Sequence, residues 1–181
     1  MTWRYGAFEL DPTIPLEGVD ARAYLEAKYD AASVAAMHRR LAEALAAEGL
    51  PVRDLTEQGL RPNTFAAHRL LTAALADGAV VQQALADGLF RAYWAEGADI
   101  GAHEVLVEIA RDAGMAADRA RDTLASEESA AAAREEERQA HEAGIRAVPT
   151  FVIDGRFAVT GAQPPAALVQ AVRQALAAAA P

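Results

Sequence analysis

Cysteine is absent from the 181 residues. No disulfide, thiolate metal site or cysteine nucleophile can be built from this chain alone. Basic residues are the minority: 17 Lys and Arg stand against 26 Asp and Glu, a net charge of −9. That balance argues against nucleic acid or an anionic membrane as a partner, because both need basic patches. No apolar run is long enough to cross a bilayer, and Met1-Thr2-Trp3-Arg4-Tyr5-Gly6 carries no signal-peptide apolar region. A cytoplasmic protein is the expectation. The four histidines form no metal-ligand pattern, and His103-Glu104 lacks the second histidine of a zinc-protease signature. Neither a metal nor a cofactor is expected.

Alanine dominates what is there, and with Leu, Glu and Arg it points to a mainly helical chain. Thr2 to Leu10 is expected as a strand, since Trp3, Tyr5 and Phe8 are β-formers and Asp11-Pro12 ends the run. After a loop over Thr13 to Gly18, Asp20 caps a helix reaching Tyr29. A second helix spans Ala32 to Glu48, with Met37, Leu41 and Leu45 at helical spacing. Val52 to Arg61 reads as a surface connector. Asn63 or Thr64 opens the next helix, whose apolar face carries Phe65, Leu70, Leu71 and Leu75.

The helix Val80 to Trp94 is expected to bury Leu85, Leu89, Phe90, Tyr93 and Trp94. Ala102 to Ala113 should turn Val105, Leu106 and Ile109 inward, and Ala116 to Leu124 forms a short helix. Ser126 caps a longer one running toward His141. Its middle, Arg134-Glu135-Glu136-Glu137-Arg138, reads as a solvated face. Gly144 suits the helix end, where φ > 0 is needed. Val148-Pro149 then leads into the β-branched and aromatic run Thr150 to Ile153. Asp154-Gly155 is a strong hairpin signal, and Arg156 to Thr160 returns from it. Gly161-Ala162-Gln163-Pro164-Pro165 enters a closing helix from Ala166 to Leu176.

Ala-Val-Pro-Thr-Phe-Val-Ile-Asp-Gly at 147–155, with Val159-Thr160-Gly161-Ala162-Gln163, resembles the C-terminal half of DsbA-family thioredoxin-like proteins. Trp3-Arg4 with Phe8-Glu9-Leu10-Asp11-Pro12 resembles the family's second strand. Asn63-Thr64 with Ala67-His68-Arg69-Leu70 resembles the start of its helical insertion. The similarity is closest to the FrnE-like branch, cytoplasmic thiol–disulfide oxidoreductases. It implies an α/β fold, mainly helical by content: a thioredoxin-like half at 1–18 and 144–181, and an all-α insertion at 19–143.

The resemblance also implies a cis Val148-Pro149 bond, with Val148, Pro149 and Thr150 docking a polypeptide thiol or disulfide substrate. His68 and Arg69 would support that site, His68 as a packing contact and Arg69 as an ion-pair or stem-packing residue. No catalytic residue is present, because the family's first strand and Cys-x-x-Cys helix have no counterpart here. About thirty further residues upstream of Met1, one strand and one helix at usual lengths, are the expected remedy. A glutathione-dependent isomerase or kappa-class transferase relative, and a cysteine-free peptide-binding or homodimerising module, stand as alternatives.

Overall fold

The computed structural model describes residues 2–53 and 59–179. They form two compact units, Met1–Glu137 and Arg138–Pro181. In the first unit a two-residue strand β1 (Val19–Asp20) pairs antiparallel with β2 (Leu60–Arg61). Asp20 also caps α1 (Ala21–Glu26), its carboxylate accepting the Ala23 N–H at 2.7 Å. Asp30 does the same for α2 (Ala31–Ala47) through Ser33. Part of the connector expected over Val52 to Arg61 is thus a strand; its residues 54–58 lie outside the described ones.

The core belongs to four helices: α3 (Phe65–Ala74), α4 (Ala79–Arg91), α5 (His103–Asp112) and α6 (Ala117–Ala125). Leu70, Leu85 and Leu106 are fully enclosed there, with Val107 and Met115 beside them. Each such side chain contributes about 1.5–3 kcal/mol on leaving water. Ile109 sits at the edge of this cluster, and Val105 is likewise only half-buried. Phe90 is not in the core: it is 60% exposed. At 3.6 residues per turn it lies about 140° round α4 from Leu85, so the two cannot share a face. Tyr93 and Trp94 are half-buried in a π-helical turn (Ala92–Glu96) that ends α4, their rings edge-on at 4.8 Å.

The strand expected over Thr2 to Leu10 is corrected by the structure. The segment is extended but has no ladder partner among the described residues. Its backbone is held by side chains of α4 and of α7 (Glu127–Glu142) instead.

α7 runs across the boundary into the second unit and ends at Gly144 (φ 82°), where the Ile145 N–H bonds the Ala140 carbonyl. There β3 (Thr150–Ile153) and β4 (Phe157–Thr160) form an antiparallel hairpin. Asp154 and Gly155 both have positive φ, and the Arg156 N–H closes the turn on the Ile153 carbonyl at 3.1 Å. This is the type I′ geometry that Asp-Gly favours. α8 (Pro165–Ala179) packs on β4, with Ala175 fully buried.

Truncating Leu106 to alanine should cost about 2–5 kcal/mol in urea unfolding, whereas Phe90→Ala should stay within about 0.5 kcal/mol. A large loss at Phe90 would contradict this packing.

Candidate functional site

Val148, Pro149 and Thr150 lie together at the entrance to β3. The Val148–Pro149 peptide is cis, Val148 is 47% exposed and Pro149 is exposed with it. The Thr150 hydroxyl donates to the Ala147 carbonyl at 2.7 Å, which ties the loop to the strand it enters. The ladder register fixes where the backbone points. The Gly161 N–H donates to the Pro149 carbonyl at 2.8 Å, so Thr150 and Thr160 form a non-hydrogen-bonded pair. Thr150 and Val152 consequently aim their N–H and C=O groups away from β4. Val148, at 47%, and Val152, at 53%, line this outer edge as exposed apolar side chains. Such an edge can take an extended polypeptide by main-chain pairing.

His68 and Arg69 are in the other unit, on α3. Arg69 is not placed to clamp a substrate. Its guanidinium donates to the Thr123 carbonyl (2.9 Å), the Ser126 carbonyl (2.8 Å) and the Ser129 hydroxyl (3.1 Å), closing the end of α6 against the start of α7. His68 lies beside the Phe8 carbonyl, with Glu136, Glu137 and Arg134 as its charged neighbours. Burial holds its imidazole below the ordinary histidine pKa, against the pull of the two glutamates.

Those glutamates correct the reading of Arg134 to Arg138 as a solvated face. Glu137 is 7% exposed. The carboxylate of Glu136 accepts the Ala7 N–H at 3.1 Å, the Thr72 hydroxyl at 3.1 Å and the Arg4 guanidinium at 3.1 Å. Glu137 accepts the Glu9 N–H at 3.0 Å and Arg134 at 2.7 Å. Arg134 also pairs with Glu9, itself 5% exposed, and stacks 3.6 Å from the Phe65 ring centroid. Gln82, 1% exposed, completes the set. Its amide oxygen accepts the Tyr5 N–H at 3.0 Å, while its nitrogen donates to the Tyr5 and Leu71 carbonyls.

Alternate N–H groups, at Tyr5, Ala7 and Glu9, thus find acceptors on helices where a strand would have a neighbouring strand. Burial pushes the Glu9 carboxyl above its ordinary range, with Arg134 opposing that shift. Nothing in a Glu-rich helical run signals this role in sequence. The one hint is that α7 has no large apolar residue with which to meet the core.

Among the described residues no cluster of three or more His, Asp or Glu side chains could hold a metal ion. No described helix is long and apolar enough to cross a membrane.

Replacing Glu137 by alanine strands the Glu9 N–H and removes one partner of Arg134. Unfolding free energy should fall by about 1–3 kcal/mol, the cost of an unsatisfied buried group. Glu142→Ala, on the exposed end of α7, should change it by no more than about 0.5 kcal/mol.

Residues 1–173 match the model of the DsbA-like thioredoxin domain. A probable DsbA oxidoreductase from Streptomyces coelicolor superposes with a TM-score of 0.81 at 34% identity, over 96% of this chain and 75% of that one. A Nitrosomonas europaea protein, assigned only provisionally as a protein disulfide isomerase, gives 0.67 at 19% identity over 82% of this chain and 76% of its own. This second likeness speaks to the fold alone. No curated protein matches the chain significantly. A chain with a proline-led β hairpin, a helical bundle and a family match from Met1 to Arg173 belongs to the DsbA-like thioredoxin family.

Proposed function

We propose that this chain is a FrnE-like member of the family that docks polypeptides at Val148, Pro149 and Thr150 and does not itself exchange disulfides. The observation that carries this reading is the outer edge of β3. Thr150 and Val152 offer backbone groups there, next to exposed Val148 and Val152. An incoming extended chain would pair with those groups and rest its apolar side chains on the two valines. The chemistry follows from composition. Thiol–disulfide exchange passes through a mixed disulfide, and these 181 residues offer no sulfur nucleophile to form one.

In the same reading, 1–18 and 144–181 constitute the thioredoxin-like half and 19–143 the helical insertion. The FrnE-like branch is supported by the Trp3–Pro12 and Asn63–Leu70 motifs, and a cytoplasmic protein is the location that branch implies. Its partners are polypeptide thiols or disulfides, not nucleic acid or membrane, in keeping with the net charge of −9.

Peptide docking is tested by fluorescence anisotropy with a labelled, reduced and unfolded polypeptide. Val152→Pro removes an N–H that points away from β4, so it should leave the hairpin intact while weakening binding at least tenfold. Unchanged affinity in this variant would exclude the β3 edge. Insulin reduction by the chain should remain at the no-protein rate; turnover above it would refute the non-exchanging reading.

A further inference from the structure

We propose that His68 is an acid-responsive latch: protonation of its imidazole releases the extended segment 2–10 from α3, α4 and α7. The imidazole sits beside the Phe8 carbonyl, and its Nδ1 is enclosed with no hydrogen-bond partner among the described residues. A neutral ring suits this place, with one nitrogen donating toward the carbonyl and the other unprotonated. A second proton would need a new acceptor. The nearby acidic groups are the carboxylates of Glu136 and Glu137, and neither bonds Nδ1. Glu136 serves Arg4, Ala7 and Thr72, and Glu137 serves Glu9 and Arg134. Protonated where it stands, Nδ1 would carry an enclosed N–H with no acceptor, a cost that freeing the segment relieves.

The remaining charges do not prevent this. On the segment, Arg4 is bound to Glu136, and Glu9 to Arg134. On α3, Arg69 is committed to the end of α6. On α7, Arg134 repels a charged His68, while the two glutamates attract it. α4 contributes neutral Gln82, and Asp87, whose charge acts on Tyr5.

The direction with pH follows from linkage. Burial depresses His68, so the released state binds its proton more tightly. Release is therefore favoured as pH falls below the ordinary value of 6.5, by up to about tenfold per pH unit, until the held state also protonates. Glu9 works the other way. Its carboxyl is raised above the ordinary 4.5, so the held state gains as pH falls through that raised value toward 4.5. Glu9 thus opposes release toward lower pH, and the Tyr5–Gln82 pair, which does not titrate there, resists it throughout.

The test is an NMR titration of the full chain from about pH 8 to about pH 5, spanning the ordinary histidine range. It reads the His68 ring together with the amides of Tyr5, Ala7 and Glu9, and takes Leu85 and Leu106 as core controls. The three segment amides should move with the His68 ring at one midpoint below 6.5 while the core amides stay fixed. In His68→Gln they should stay still over the same range. The proposal is overturned if they do not move, if they move equally in His68→Gln, or if the core moves with them. Should His68→Gln fail to fold, Glu9→Gln decides the matter. Release must then persist with the His68 midpoint and extend to lower pH, and its disappearance would assign the switch to Glu9.

Discussion

The carboxylates of Glu136 and Glu137 are what the arrangement of the first unit depends on. An extended chain in a globular protein must place its N–H groups on acceptors, because leaving one buried and unpaired costs about 1–3 kcal/mol. At Tyr5, Ala7 and Glu9 that need is met by helix side chains. Glu136, Glu137 and Gln82 reach the segment at every second residue, which is the period of an extended backbone. Arg134 makes the carboxylates tolerable in that setting. It bridges Glu9 and Glu137 and spreads its guanidinium over Phe65. Two nearly buried acids sharing one cation would otherwise repel each other.

The hairpin of the second unit shows the same economy on the opposite chemical terms. Its type I′ turn and ladder satisfy the inner edge of β3 within the hairpin, and no strand pairs with its outer edge among the described residues. Exposed Val148 and Val152 give that edge an apolar character.

Local signals were legible in the sequence because their causes are local. Asp154-Gly155 needs φ > 0 at both positions, and Gly144 needs it at one. Asp20 lies one residue before a helix with a free N–H to accept. The inward places of Leu70, Leu85 and Leu106, each on its own helix, follow from the apolar face of that helix. The expectation for Phe90 failed because an apolar residue in an apolar helix was assigned to the core without regard to its angle. That for Thr2 to Leu10 held as to extension and failed as to pairing. β-forming side chains specify a backbone shape, while the partner is specified elsewhere, here more than 120 residues away on α7. Glu136 and Glu137 were illegible for the same reason: nothing within α7 distinguishes a glutamate facing water from one facing a backbone amide.

Hydrogen exchange of the backbone amides over residues 4–10 tests the central claim most directly. Side-chain acceptors on one edge predict an alternating pattern, with Tyr5, Ala7 and Glu9 protected and Arg4, Gly6 and Leu10 exchanging freely. Uniform protection along the segment would mean that a strand pairs on its other edge, and uniform loss would mean that the carboxylates do not hold it. Either result would contradict the account.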